Sequence, residues 1–235
     1  CRLLTYALNG NADFMGDDIH YASNHDFVGI EFSIHGMLDG RVRVGMPGKF
    51  NADNALAALA VCILALSGGS GVLDDHTKQA ILGSLVKVRV DGRMEIAHVS
   101  KKCSVIVDYA HNAVSMESLL TTLRDYHPKR LVCVFGCGGN RARDRRYSMG
   151  EIGGKMADLC IITADNPRFE KNEDIIKDIE VGLAKTDGTY LVIPDRREAI
   201  FYAIRNAEEG DMIAIIGKGH EDYQIVGNRR LDYSD

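Results

Sequence analysis

The pattern of hydrophobic and polar positions changes near residue 90 of the chain. Before this point, short apolar runs are interrupted by Gly, Asn and Asp, which is typical of antiparallel strands. These runs cover residues 3–8, 29–34 and 40–46. The apolar, Ala-rich stretch 51–66 predicts a buried helix with Asn51 as its N-cap. A second helix is predicted from Asp74 or Asp75 through Leu85.

From about Gly92 onward, apolar runs alternate with segments whose apolar residues recur at helical spacing. The predicted strands are 104–109, 131–135, 159–163, 190–193 and 212–216, and the predicted helices are 116–126, 148–157, 175–183 and 200–207. Asp195 and Glu198 resemble a capping box, and Gly227 with Asn228 predicts a closing hairpin. Such alternation predicts an α/β fold with a Rossmann-like, mostly parallel sheet covered on both faces. We predict two domains, residues 1–90 and 91–235.

Composition excludes several classes of protein. A length of 235 residues suits one large domain or two modest ones, and a net charge of −5 gives no basic field for nucleic acid. Apolar runs fall short of the ~20 residues that span a bilayer, and the first residues do not resemble a signal peptide. We therefore expect no membrane or nucleic-acid partners. We also expect a cytoplasmic protein that is a monomer, although composition does not determine the oligomeric state. The six cysteines, none in a C-x-x-C pair, are predicted to be mostly buried free thiols rather than metal ligands: Cys1, Cys62, Cys103, Cys133, Cys137 and Cys160.

Polar clusters follow four of the predicted parallel strands, and ligands of open α/β sheets bind at that edge. The clusters are Asp-Tyr-Ala-His-Asn at 108–112, Gly-Cys-Gly-Gly-Asn-Arg at 136–141, Asp-Asn-Pro-Arg at 165–168 and Gly-Lys-Gly-His-Glu-Asp-Tyr at 217–223. Arg141 and Arg168 could each hold a carboxylate through two hydrogen bonds, and Glu221 could accept from an ammonium group. Backbone amides near Gly217 add further donors. Together these groups predict a site for a small zwitterion with a carboxylate at each end.

Each cluster also has a purely structural interpretation. Residues 136–139 could form a tight strand-to-helix turn, and Asp165 could be a turn residue before Pro167. His111 and His220 could be polar groups satisfied at strand ends. Three neighbouring arginines fit a solvated face better than a ligand role: Arg143, Arg145 and Arg146.

In this order, the four clusters resemble the motifs of the Mur ligases that act on UDP-N-acetylmuramoyl-alanyl-glutamate. The resemblance runs from the segment 47–54 through 91–95 to the end of the chain and is weaker before residue 47. It implies an ATP-dependent amide ligase of peptidoglycan precursor synthesis. ATP would convert the D-glutamyl carboxylate to an acyl phosphate, which the amine of the incoming amino acid would attack through a tetrahedral intermediate. Mg²⁺ and cationic groups would stabilise the developing charge.

The resemblance also implies roles for single residues. The nucleotide-contacting positions are Asn51, Asn54, Arg93 and Asp108, with Asn54 on the adenine edge, Arg93 in a hinge between domains and Asp108 near the ribose. The amino-acid pocket comprises Arg141, Asp165, Asn166, Pro167, Arg168, Gly217 and Glu221. No catalytic residue is assigned, with His111 as the one candidate, and no metal ligand is expected.

The arginine of Asp-Asn-Pro-Arg goes with meso-diaminopimelate in this family. Diaminopimelate has a distal carboxylate that lysine lacks, so lysine would leave Arg168 unpaired in a partly buried site, at a cost of several kcal/mol. The resemblance therefore implies diaminopimelate as the added amino acid, and UDP-MurNAc-dipeptide and ATP as the other substrates.

The chain contains no G-x-x-x-x-G-K-[ST] loop. Family members carry that loop, a modified lysine that helps to hold magnesium and a uridine-nucleotide domain in a preceding segment. We therefore expect the chain to be part of a central ATP-binding domain followed by an amino-acid-binding domain, inactive as a ligase by itself. The alternatives are an L-lysine-adding ligase, a folylpolyglutamate-type ligase, a non-catalytic amino-acid-binding module, and an NAD-dependent oxidoreductase suggested by Gly136 and Gly138.

Overall fold

A computed structural model describes residues 3–8 and 10–235 of the chain. Contacts between residues divide it into two compact units, Cys1–Arg89 and Val90–Asp235. The first unit contains a four-stranded sheet in the order β1-β2-β3-β4 and two helices. The elements are β1 (Tyr6–Leu8), β2 (Phe14–Asn24), β3 (Phe27–Gly36), β4 (Gly40–Val44), α1 (Phe50–Leu66), α2 (Asp75–Ser84) and a 3₁₀ turn at Leu85–Lys87.

Strands β2, β3 and β4 pair antiparallel, which confirms the predicted arrangement, whereas β1 pairs with β2 in parallel. The long strand β2 was not predicted. Its middle is polar, and its register shifts between Asp17 and His20. Such a bulge interrupts the alternation from which a strand is predicted.

Helix α1 packs its buried alanines and leucines against this sheet, but the prediction of its N-cap is wrong. The helix begins at Phe50 after Lys49, whose side chain makes no capping hydrogen bond. The Asn51 amide N–H already bonds to the Gly48 carbonyl at 2.9 Å, so Asn51 lies inside the first turn. Helix α2 follows Asp74, one of its two predicted starts, and Asp74 caps it by accepting from the Thr77 backbone N–H at 2.9 Å.

 The second unit contains a six-stranded sheet, four helices among the described residues and a two-stranded hairpin. The strands of the sheet are β5 (Glu95–Val99), β6 (Cys103–Asp108), β7 (Arg130–Phe135), β8 (Leu159–Ile162), β9 (Tyr190–Val192) and β10 (Asp211–Ile216). The helices are α3 (Ala113–Arg124), α4 (Asp144–Met156), α5 (Asn172–Leu183) and α6 (Arg196–Arg205). The hairpin is formed by β11 (Tyr223–Val226) and β12 (Arg229–Asp232).

The strand order of the large sheet is β5-β6-β10-β7-β8-β9. Strands β6 to β10 all pair in parallel, which confirms the predicted Rossmann-like α/β fold, and only the edge strand β5 is antiparallel. The chain inserts β10 last, between β6 and β7, and every residue of β10 is buried. Strand β5 was not predicted because its residues are at most half-buried, as expected for an edge strand.

Local capping fixes where two helices of this unit begin. Asn112 accepts from the Ser115 backbone N–H at 3.0 Å, and the Ser115 hydroxyl completes a capping box at the start of α3. Asp195 accepts from the Glu198 backbone N–H at 2.9 Å at the start of α6. Since α3 and α6 directly follow β6 and β9, these caps set where the loops at the sheet edge end.

Four cysteines are buried and free, as predicted, whereas Cys62 is exposed on α1: the buried ones are Cys103, Cys133, Cys137 and Cys160. Cys1 lies outside the described residues. None of the helices in the described part of the chain combines the length and the apolar character that a membrane span requires.

Candidate functional site

The loops that follow β6, β7, β8 and β10 surround an open cavity of about 290 Å³ at the carboxyl edge of the large sheet. Its lining residues are Tyr109, His111, Gly138, Arg141, Arg145, Asp165, Asn166, Arg168, Gly217 and Glu221. Seven of the residues to which the sequence analysis gave a site role therefore lie around one cavity. Pro167 is buried beside it without lining it.

The segment 165–168 after β8 has a backbone that is held on two sides. Arg168 has a φ of 53°, in the left-handed region that non-glycine residues rarely adopt. Its N–H donates to the Ile225 carbonyl at 3.0 Å, and its carbonyl accepts from Gly227 at 2.6 Å, so the hairpin fixes this conformation. The Arg168 Nη1 donates to the Gly139 carbonyl at 2.9 Å, which directs the guanidinium toward the loop after β7.

The glycine-rich loop after β7 lies directly against this segment. The Gly139 N–H donates to the Asn166 carbonyl at 2.9 Å. A Cβ atom on Gly139 would lie 1.9 Å from the Pro167 carbonyl oxygen, a distance that no side chain tolerates. Gly139 thus permits the close approach that places Arg141 and Arg168 on the same cavity.

Asp165 is the most buried carboxylate of the cavity, with 7% of its surface exposed. Burial raises the pKa of its carboxyl group, although the cations of Arg196 and Lys218 work in the opposite direction. Its Oδ1 is buried and has no hydrogen-bond partner among the described residues. A buried acceptor without a donor is costly, so this oxygen is suited to receive a donor from a ligand.

Glu221 and Asn166 form a connected polar group in the cavity lining. The Asn166 Nδ2 donates to Glu221 Oε2 at 2.9 Å, and the Tyr223 hydroxyl donates to Glu221 Oε1 at 3.3 Å. The Ile225 N–H donates to Asn166 Oδ1 at 2.9 Å. These bonds hold the carboxylate of Glu221 at the cavity, where it can accept from a cationic group.

The arginine run after the glycine-rich loop differs from its prediction as a solvated face. Arg143 is exposed, but Arg145 lines the cavity and Arg146 is only 1% exposed. The Arg146 guanidinium donates to Glu170 at 2.8 and 2.9 Å and to Asp178 at 2.9 Å. The solvated interpretation of Arg146 is therefore wrong, because two carboxylates make burial of its charge possible.

This ion-pair cluster joins the two loops that carry the cavity arginines. Burial works to raise the pKa of Asp178, but hydrogen bonds from Arg143 and Arg146 outweigh it and lower that pKa. The hydrogen bond from Arg146 lowers the pKa of Glu170. Glu170 also accepts from the Asn140 backbone N–H, next to Arg141. The cluster is thus part of the framework beneath the glycine-rich loop.

The loop after β6 contributes the aromatic side chains of Tyr109 and His111, which lie close to Arg93. The Asp108 oxygens accept from the backbone N–H groups of Met94 at 2.8 Å and Ala110 at 2.7 Å. Burial raises the pKa of Asp108, against the effect of these bonds. The Tyr109 ring centre lies 4.8 Å from the Arg93 guanidinium and 4.8 Å from the His111 ring centre. Both oxygens of Asp108 therefore hold the turn that presents Tyr109 and His111.

Asn51 and Asn54 lie on α1 of the first unit. Asn51 is buried, and its Nδ2 donates to the Pro47 carbonyl at 2.6 Å. Its Oδ1 accepts from Asn54 Nδ2 at 3.0 Å. Since Asn54 is exposed, it presents a carboxamide at the start of this helix that Asn51 holds in place.

The sequence analysis assigned no site role to three residues of the second unit. Tyr109 and Arg145 line the cavity, and Lys218 is fully buried beneath it. Tyr109 and Lys218 lie within the motifs, but their neighbours are the residues to which the resemblance assigns roles. For Tyr109 and Lys218, position within these motifs was the only indication of a site role that the sequence offered.

An open α/β sheet whose carboxyl edge carries cations and carboxylates defines a site for a charged small molecule, and comparison with known proteins assigns a family. The profile of the Mur ligase glutamate ligase domain matches residues 92–219, more than half of the chain. The chain belongs to the Mur ligase family. This assignment removes the dinucleotide-binding oxidoreductase from the alternatives.

Individual relatives extend the similarity over the whole chain. A UDP-N-acetylmuramoyl-L-alanyl-D-glutamate–2,6-diaminopimelate ligase of Clostridium acetobutylicum is 39% identical over 236 positions, covering 100% of this chain and 46% of the relative. The ligase of that name from Geobacillus thermodenitrificans is 38% identical, covering 99% and 45%. A solved structure of such a ligase superposes with a TM-score of 0.72 at 33% identity, covering 98% and 45%. The chain spans slightly less than half the length of these relatives.

Proposed function

We propose that the chain takes part in the ATP-dependent addition of meso-diaminopimelate to UDP-N-acetylmuramoyl-L-alanyl-D-glutamate, a cytoplasmic step of peptidoglycan precursor synthesis. The observation that carries this proposal is the composition of the cavity. Three guanidinium groups and two carboxylates line it: Arg141, Arg145, Arg168, Asp165 and Glu221. Relatives at 38–39% identity that bear the name of this activity support the same conclusion.

The charges of the cavity complement those of a diamino dicarboxylic acid. Arg141 and Arg168 would bind a carboxylate, since a guanidinium matches its geometry through paired hydrogen bonds. Glu221 and the unpartnered Oδ1 of Asp165 would accept from an ammonium group. L-lysine has one carboxylate fewer and would leave arginine charge uncompensated, which favours diaminopimelate over lysine.

The nucleotide contacts are also part of the proposal. Asn54 and Arg93 are exposed, so a carboxamide and a guanidinium are accessible for adenine and phosphate, whereas Asp108 and Asn51 would act by holding their loops. ATP, when bound, supplies the phosphoryl group that activates the D-glutamyl carboxylate. No group of three or more His, Cys, Asp or Glu side chains in residues 3–8 and 10–235 is arranged to hold a metal ion.

Titration calorimetry of the 235-residue chain with meso-diaminopimelate, L-lysine and L-glutamate tests the proposal. We expect diaminopimelate to bind at least about tenfold more tightly than L-lysine, the difference that about 1.4 kcal/mol of binding free energy produces. Arg168→Met should abolish this preference. Arg205→Met is the matched control, since Arg205 lies on α6 outside the cavity lining. Equal affinity for L-lysine, or binding of L-glutamate alone, would contradict the proposal.

A further inference from the structure

Lys218 is a fully buried cation beneath the cavity, with 0% of its surface exposed. Its Nζ donates to Glu221 Oε2 at 3.1 Å and to Asn166 Oδ1 at 3.5 Å. It also donates to the Tyr223 carbonyl at the start of β11. The rings of Tyr223 and Tyr233 lie beside the ammonium group, with centres 5.4 and 5.6 Å away.

This set of partners accounts for the whole hydrogen-bonding capacity of the lysine. An ammonium group has three N–H donors and no acceptor, and three protein oxygens receive them. Lys218 therefore has no donor left for a ligand and no contact with solvent. Any effect of its charge on binding must pass through Glu221, Asn166 or β11.

The first consequence concerns the orientation of the Asn166 carboxamide. Two donors, the Ile225 N–H and the Lys218 Nζ, point at its oxygen. The carboxamide nitrogen must then face the other way, and it donates to Glu221 Oε2. Glu221 Oε2 consequently accepts from two fixed donors, and the carboxylate keeps one position at the cavity.

The second consequence concerns the segment 165–168. Lys218 anchors Tyr223, and the following residues of β11 bond to that segment. Gln224 Nε2 donates to the Asp165 carbonyl at 2.6 Å, and the Ile225 carbonyl accepts from the Arg168 N–H at 3.0 Å. One buried cation thus connects Glu221 with the strand that shapes the backbone of Asp165 and Arg168.

We propose that Lys218 is a positioning residue for ligand recognition: its buried ammonium group fixes the orientation of Asn166 and, together with Asn166, holds Glu221 in place to receive the ammonium group of a diamino acid. The inference rests on the proposed function for the identity of the ligand. It adds a residue that the ligand does not touch. A lysine at this position neutralises the charge of Glu221, fixes the orientation of the Asn166 carboxamide and bonds to the start of the hairpin at Tyr223.

The test compares Lys218→Met with Lys155→Met in the 235-residue chain. Lys155 is the matched control, because it pairs with Glu151 on the exposed surface of α4. Calorimetry should show at least about tenfold weaker binding of meso-diaminopimelate to Lys218→Met, since truncating one member of a buried charged pair costs this much or more. Lys155→Met should bind like the parent. Hydrogen exchange at the Ile225 amide, measured without ligand, should be faster in Lys218→Met and unchanged in the control.

Glu221→Gln supplies the readout that a merely structural role would not affect. If Lys218 acts through Glu221, Lys218→Met should weaken binding much less in the Glu221→Gln background than in the parent. Additive losses in affinity would overturn the proposal, as would parental affinity together with parental exchange at Ile225. Lys218→Gln, which retains polarity without charge, replaces the methionine variant should that one not fold. If the parent gives no heat with diaminopimelate, the proposed function fails, and exchange at Ile225 still decides whether Lys218 positions Asn166.

Discussion

Replacing Arg146 by methionine should destabilise the second unit far more than the same change at Arg143. Arg146 is 1% exposed and binds Glu170 and Asp178, whereas the side chain of Arg143 is 66% exposed and binds Asp178. Removing one partner of a buried ion pair costs about 3–5 kcal/mol, because the remaining charge is left uncompensated. An ion pair whose cation is exposed contributes much less, because solvent screens the charge.

The structure places the Arg146 effect at the lower end of that range. Asp178 retains its two bonds from Arg143 at 2.7 and 2.9 Å. The Arg146 Nε is buried without a partner among the described residues, so its removal relieves an existing penalty. We therefore expect a loss of about 3 kcal/mol, a large fraction of the 5–15 kcal/mol typical of a domain.

Native-state hydrogen exchange measures this loss within one unit at a time. The Ile213 amide on the buried strand β10 reports opening of the second unit, and the Leu56 amide on α1 reports opening of the first. Arg146→Met should lower the opening free energy at Ile213 by about 3 kcal/mol and leave Leu56 unchanged. Similar losses from Arg146→Met and Arg143→Met would refute the reasoning.

Three further outcomes follow from buried or paired groups. Asp165→Asn should raise the free energy of unfolding by about 1 kcal/mol, because it removes a buried charge that has an unpartnered oxygen. The same change should weaken the binding of diaminopimelate. Urea denaturation measures the first effect and calorimetry the second, and a loss of stability would contradict the prediction. The paired carboxylates of Glu170 and Asp178 have lowered pKa values, so their stabilising effect is present above their ordinary pKa values of 4.5 and 3.8 and is lost as the pH falls below these values. Hydrogen exchange measured over an acid titration should show this loss of stability. The loss with falling pH should be less steep in Arg146→Met. Burial raises the pKa of Cys137 to about 12, so a thiol reagent at pH 8 should modify the exposed Cys62 before Cys137. Peptide mass spectrometry can compare the two rates, and equal rates would contradict the burial of Cys137.

The parallel sheet could be predicted because its strands are continuously apolar and its helices carry regular apolar stripes. The polar strand β2 and the edge strand β5 could not, since neither is buried enough to impose a pattern on the sequence. The loops of the cavity were predictable from the edge of the sheet to which they belong. The burial of Arg146 was not, because its partners lie 24 and 32 residues further along the chain.

The same limit applies to Lys218 and Asp165. Sequence analysis identified the motifs that contain them, but a residue's depth beneath a cavity depends on which segments pack over it. Lys218 is enclosed by the hairpin residues that follow it, and Asp165 is buried next to Arg196 on a separate helix. Such distant packing leaves no local trace in the order of the residues.

The backbone of Arg168 shows that the Asp-Asn-Pro-Arg tetrapeptide is not a portable module. Its left-handed conformation depends on Ile225 and Gly227, almost sixty positions later in the chain. Grafting the four residues onto another scaffold without a comparable hairpin would transfer the sequence but not its backbone conformation. Conversely, a shortened or lengthened hairpin would redirect the guanidinium while every residue facing the ligand stayed the same.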